Sequence, residues 1–195
     1  MRRVVSIWLP TWRTDRLRQC GDAPETGALV VAGSDGRKQV VVSVDAEAHG
    51  LGLRPGMPLA HARTLVPDIA VRPVDPAAEE QALLRLATWC LRYSPLVAPD
   101  PPDGLWIEIA GSAHLFGGET RLLADVTRRL RQQGFAAHAA VADTPGAAHA
   151  LARFAEPPRV PEKIAALPIE ALRLPPGTLE ALHLLGFDRI GPLEA

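Results

Sequence analysis

Gly50-Leu51-Gly52-Leu53-Arg54-Pro55-Gly56-Met57-Pro58, followed by Ala60 and by Leu65-Val66-Pro67, is a turn-rich run whose glycines and prolines break the helical signals at 46–50 and 58–66. Just upstream, Ala28–Ala32 and Gln39–Val44 are apolar, β-branched runs separated by Gly33-Ser34-Asp35-Gly36, which predicts a hairpin. A short strand over 69–71 leads to Pro73. Farther out, residues 3–9 form a strand bounded by Pro10, with a short polar helix over 13–20. On the other side, Asp75-Pro76 supplies an N-cap and a proline at the first helical position. Leu83, Leu86, Ala87 and Cys90 then follow at helical spacing. Strands at 94–98 and 104–110 flank the proline-rich 99–103. A second helix runs from Glu119 to about Gln133, with Gly134 as its stop, and a strand over 135–141 closes the set.

Without the stretch 11–73, the order is strand, helix, strand, strand, helix, strand. That is the split βαβ arrangement of a ferredoxin-like sheet backed by two helices, an α+β fold. The opening strand should pair inside a mixed four- or five-stranded sheet, with the hairpin around Gly33–Gly36 in a separate small lobe. Beyond Pro157-Pro158 the chain turns to short helices broken by prolines, which places a boundary near 155–165. Residues 178–193 have the pattern of a helix-hairpin-helix around Leu185-Gly186-Phe187, whose amides and helix N-termini can grip a phosphate. A plain αα-hairpin with a glycine cap fits the same residues. The sequence stops before the second helix is finished, as a fragment of a longer protein would.

With 195 residues, 47% of them hydrophobic, the chain can bury a real core; its net charge of −1 leaves any nucleic-acid contact to a local patch. The start Met1–Leu9 imitates a signal peptide, but Pro10, Arg13, Asp15 and Arg16 cut the apolar run short. No stretch approaches the roughly 18 apolar residues of a membrane span, so a cytoplasmic location is expected. Cys20 and Cys90 have neither CxxC spacing nor a histidine set, which argues against a disulfide framework or a zinc site. His49, His61, His114, His138, His149 and His183 show no metal-ligand spacing and are expected at the surface or in caps.

The run at 50–58 resembles the fingers segment of Y-family DNA polymerases. Carried outward, residues 3–13 resemble that family's opening strand, Pro99–Ile109 its "SLDEAYLD" segment, Ala140–Phe154 the segment with its paired lysines, and 164–193 its thumb. The resemblance implies a palm at 1–10 and 74–155, fingers at 11–73 and a partial thumb at 160–195. It also implies weak DNA contact, on primer–template or single strands, at Leu185, Gly186, Phe187 and Gly191.

The departures from the family pattern fall on its chemistry. Nucleotidyl transfer needs metal ions held by carboxylates. Trp8 and Pro10 stand where the first strand carries its two Asp, and Gly104 replaces the Glu beside Asp103, the acid that remains; Trp106 and Glu108 take the places of the Tyr and the final Asp. The triphosphate-gripping Tyr and Arg are here Ala46 and His49, and the lysine positions hold Pro145 and His149. Loss of a whole constellation on a kept scaffold is the pattern of ImuB-type relatives, which lack catalysis and need neither metal nor cofactor. Their role implies an adaptor in SOS mutagenesis, in a mutasome with a sliding clamp, an ImuA-type RecA-like protein and an error-prone DnaE-type polymerase. The partner-binding segments are expected mostly beyond residue 195. An active translesion polymerase and a stand-alone ferredoxin-like binding domain are the alternatives.

Trp8 is expected to fill the core rather than to stack on bases, with Trp106 beside it plugging the former cleft. Asp45, Asp103 and Glu108 are a weaker candidate for a salvaged metal site. Arg128, Arg129 and Arg131 fit a solvated helix end better than a DNA contact.

Overall fold

The computed structural model describes residues 2–157, 159 and 161–194; Pro158, within the expected boundary, lies outside the described residues. The larger lobe is built on a four-stranded sheet of β1 (Val4–Trp8), β5 (Val97–Asp100), β6 (Gly104–Glu108) and β7 (His138–Ala142), in the order β5-β6-β1-β7. Every neighbouring pair is antiparallel, so the expected mixed sheet is not found here. The reason lies in the split βαβ connection. β1 and β5 run in the same direction, joined through a helix, but β6 inserts between them and takes the hydrogen bonds of both.

Alternation along these strands assigns the two faces. Val5, Ile7, Leu105 and Ile107 point to one side and are fully buried against α4 (Pro76–Cys90) and α5 (Glu119–Gln132) through Leu83, Leu86, Leu122, Val126 and Leu130. Helix α4 starts as the sequence implies: Asp75 accepts from Ala78 N at 3.0 Å, and Pro76 occupies the first turn. On the other face Ala140 and Ala142 meet α6 (Pro145–Phe154), with Trp8 and Trp106 packed at the margin. The Thr144 side chain accepts from Ala147 N, with Pro145 behind it, a start signal of the same kind.

The hairpin lies in a second sheet of order β3-β2-β4, formed by β2 (Leu29–Ser34), β3 (Gln39–Val44) and β4 (Ala70–Pro73), separate from β7 as expected. Gly33 and Ser34 belong to the strand rather than the turn. Asp35 makes the reversal, its Oδ1 accepting from Arg37 N and Lys38 N at 3.0 and 2.8 Å. The run at 50–58 lies between the short helices α2 (Ala46–Gly50) and α3 (Leu59–Leu65), with Gly52 and Gly56 at φ +91° and +85°. It is stitched to β3 by Gly56 N→Val41 O and Val41 N→Met57 O, both 2.8 Å, while Leu53 is fully buried.

Strand edges differ from the sequence reading in two places. β5 begins at Val97 and takes in Pro99 and Asp100, which composition alone puts in a linker. It is the edge strand, where a missing N–H leaves no inner ladder bond unmade. β7 begins at His138, because Gly134 at φ +80° turns the chain and residues 135–137 cross the end of α5 before pairing starts. At the C-terminal end, short 3₁₀ helices at Pro161–Ala166 and Ile169–Leu172 precede α7 (Pro176–Leu184), and Gly191–Glu194 is another 3₁₀ segment. Among the described residues, no helix is long and apolar enough to cross a membrane.

Candidate functional site

The register of the larger sheet places Trp8 directly opposite Gly104, so side chains at these positions and at Asp103 share one corner of the face toward α6. Trp8 is half-buried rather than a pure core filler, and its indole Nε1 donates to Asp103 Oδ2 at 3.1 Å. Arg153 of α6 donates from Nη2 to Asp103 Oδ1 at 2.7 Å and lies 3.7 Å from Asp100 Oδ2. Asp100, only 4% exposed, is held from the far side by Arg173 Nη1 at 2.8 Å. An indole, two carboxylates and two guanidiniums therefore form one connected network across the corner. Both oxygens of Asp103 are engaged.

Gly104 belongs to the same construction. A Cβ there would stand 2.8 Å from Arg153 Nη2, 3.0 Å from Ile7 O and 3.1 Å from Asp100 O. Two of these neighbours are backbone atoms, so no rotamer change relieves the contact. Arg153, Asp100 and Arg173 escape sequence reasoning, because their partners lie 50 and 73 residues away and nothing local marks them.

The remaining predicted positions divide between neighbouring places. Pro10 and Asp103 line a cleft of about 350 Å³ between the lobes, faced from the smaller lobe by Asp45, Ala46 and His49. Asp45 caps α2, accepting from Ala48 N at 2.7 Å, and pairs with Arg18 at 2.6 Å. Glu108 sits at the opposite end of β6 from Asp103, and its carboxylate is 3.3 Å from Arg2. Asp45, Asp103 and Glu108 thus do not converge, which corrects the salvaged-site reading. Among the described residues, no three Asp, Glu, His or Cys side chains are grouped to hold a metal ion.

Pro145 opens α6, and His149 one turn on is 6% exposed, its ring 6.0 Å from that of Trp106. This corrects the expectation of a surface histidine. Burial, reinforced by the nearby Arg153 charge, lowers its pKa to about 4. A base whose pKa falls on folding binds fewer protons than the unfolded chain between its two values, so stability is lost as pH drops from about 6.5 toward 4. Full protonation of the unfolded side costs on the order of 3 kcal/mol. We expect His149→Gln to flatten the loss of stability between pH 6.5 and 4 in urea titrations; an unchanged pH profile would rule this out.

His183 bridges Glu170 and Asp188 at 3.0 Å each. The amides of Leu185, Gly186 and Phe187 donate to Ala181, His183 and Leu182 carbonyls, closing the end of α7, with Gly186 at φ +82°. Leu184 and Leu185 stand out at the tip, 84% and 72% exposed. Arg128 and Arg129 both pair with Asp125.

The fold and this corner define a ferredoxin-like palm carrying an inserted second lobe. Comparison with known proteins agrees: the profile of the impB/mucB/samB family matches residues 22–153. The chain belongs to that family. Protein ImuB of Caulobacter vibrioides (strain NA1000 / CB15N) is 46% identical over 151 residues, covering 74% of this chain and 33% of that protein. DNA polymerase IV of Pseudomonas fluorescens (strain Pf0-1) is 31% identical over 105 residues, 54% of this chain and 30% of that one. The chain thus spans about a third of the length of these relatives. Among solved structures, the insertion ternary complex of Dbh DNA polymerase aligns with a TM-score of 0.72 at 17% identity, over 96% of this chain and 58% of that one. DinB from Sulfolobus solfataricus aligns at 0.69 and 16% identity, again over 96% and 58%. These likenesses establish the palm-and-fingers fold.

Proposed function

We propose that this chain is the palm-and-fingers part of a non-catalytic, ImuB-like subunit that supports translesion synthesis without transferring nucleotides itself. The observation that carries the reading is the corner at Trp8. An indole N–H and a guanidinium occupy Asp103 where a two-metal site needs free carboxylate oxygens. Pro10 and Gly104 offer no replacement ligand, and Ala46 and His49 face the cleft without the cation and hydroxyl that a triphosphate needs. On this reading residues 1–10 and 74–155 are palm, 11–73 fingers and 160–195 the start of a thumb. The tip at Leu185 and Gly186, with half-buried Phe187 and Gly191 behind it, meets DNA weakly. The clamp, the RecA-like protein and the DnaE-type polymerase are contacted mostly by the rest of the protein.

The test combines primer extension with a mobility shift on primer–template DNA. We expect no templated extension with Mg²⁺ or Mn²⁺, and a weak, salt-sensitive shift that is the same with and without Mg²⁺. Metal-dependent extension would restore the polymerase reading, and no shift on any DNA would favour a binding domain without a DNA role.

A further inference from the structure

Helix α1 (Trp12–Gln19) lies between α4 and the smaller sheet with Trp12, Thr14, Arg16 and Leu17 buried, and Trp12 enters the core beneath the larger sheet. Arg16 is 7% exposed, yet no hydrogen bond or ion pair joins its side chain to any described residue, and its Nε is buried without a partner. The indole Nε1 of Trp12, 2% exposed, is likewise buried and partnerless. Arg13, Arg18 and Arg153, by contrast, each reach a carboxylate, Glu79, Asp45 and Asp103 respectively. Nη1 and Nη2 of Arg16 are not among the buried unpartnered atoms, so the charged end of the side chain opens into a cavity where an anion from outside the chain can pair with it.

Trp12 and Arg16 both line a cavity of about 230 Å³ between α1, α4 and the end of α5. Arg85, Gln19 and Gln133 add further donors to its wall, and no Asp or Glu lines it. Its apolar side is aromatic: the rings of Trp12 and Phe135 lie 5.5 Å apart at 31°, with Trp89 nearby. The planar fork of arginine suits a carboxylate, and the rings suit an apolar group attached beside it. The volume lies below the range typical of cofactor sites, roughly 300–1,000 Å³, and holds a side chain rather than a nucleotide. We infer that this cavity is a docking subsite for a peptide segment presenting a carboxylate next to an aromatic or aliphatic side chain. Arg16 is its buried anchor and Arg85 its outer cation. The subsite is independent of the Trp8 corner and of the proposal made for it.

The experiment uses the ¹⁵N-labelled chain with three probes, followed through the Trp12 indole N–H. N-acetylphenylalanine supplies carboxylate and ring, its amide supplies the ring alone, and inorganic phosphate supplies an oxyanion alone. We expect a saturable shift with the acid and none with the amide. Arg85→Met should weaken the acid about tenfold, the loss of one charge-assisted contact. Arg16→Met should abolish the response while raising the melting temperature of the unliganded chain, because it removes a buried charge with no counter-ion. A merely structural arginine would give the opposite sign. No shift with the acid, an equal shift with the amide, or binding unchanged by Arg85→Met overturns the inference. Phosphate moving the indole as tightly as the acid overturns the peptide assignment. Should Arg16→Met fail to fold, that too counts against it, and the acid–amide comparison on the unaltered chain stands alone.

Discussion

Placing acids at the Trp8 corner should not produce synthesis: Trp8→Asp with Pro10→Asp and Gly104→Glu is expected to give no templated primer extension, as proposed above for the unaltered chain, and to be less stable. Gly104 is enclosed by Ile7 O, Asp100 O and Arg153, so any side chain there pushes backbone apart. Overpacking of this kind costs about 1–3 kcal/mol before the charge of a Glu is counted. Trp8→Asp removes the indole that donates to Asp103 and sets a second carboxylate beside the first. On the proposed reading even a correctly placed acid pair would face a cleft whose Ala46 and His49 offer a triphosphate no strong partner, while His149 is held neutral by burial. Each charge-assisted contact is worth roughly 1.5–3 kcal/mol, so if that reading holds, the absence of four of them, at Ala46, His49, Pro145 and His149, is expected to weaken productive nucleotide binding by several powers of ten. Templated extension by the triple variant, measured on gels with Mn²⁺ as the permissive metal, would refute the account of a site lost as a unit.

The second large effect is expected at Arg153. Its side chain is 12% exposed and serves two carboxylates, one of them 5% exposed. Arg153→Met leaves the methylene volume nearly filled but strands Asp103 and weakens the hold on Asp100. Breaking a buried pair from one side typically costs about 3–5 kcal/mol, a large part of a domain's total stability. Adding Asp103→Asn should recover part of the loss, because the stranded group is then neutral and still accepts from Trp8. Urea midpoints for the single variants and the double variant form the cycle. Additive losses would show that Arg153 and Asp103 are not coupled, and an Arg153→Met midpoint equal to that of the unaltered chain would show that the network carries no net stability.

The parts of the fold that could be read in advance rest on short-range chemistry. Asp75-Pro76 starts α4, Gly134 ends α5, and the two apolar runs flanking residues 33–36 form the hairpin, because each signal acts within a few residues. What could not be read depends on neighbours distant in sequence. β5 accepts Pro99 only because it lies at an edge, and edge status is a property of the assembled sheet. That Trp8, Pro10 and Gly104 offer no carboxylate is plain in the sequence. That Arg153 and Arg173 reach the corner beside them is not, since an arginine reads as solvated until its partner is located. His149 shows the same limit: one histidine in an alanine-rich helix carries no local sign of being buried.

Asp100 lies between two arginines of different exposure: Arg153 is 12% exposed on the inside and Arg173 48% on the outside. The inner link fastens α6 to the sheet, whereas the outer one fastens the C-terminal segment to the same carboxylate. Dissolved ions screen exposed pairs far more than buried ones, and at about 0.15 M the screening length is already near 8 Å. Rising ionic strength therefore weakens the Arg173 link before the Arg153 link, while Leu167, Ile169, Ala171 and Ile190 keep the C-terminal segment packed by apolar contact. Salt thins the charged fastening of that segment from the outside without undoing its apolar one.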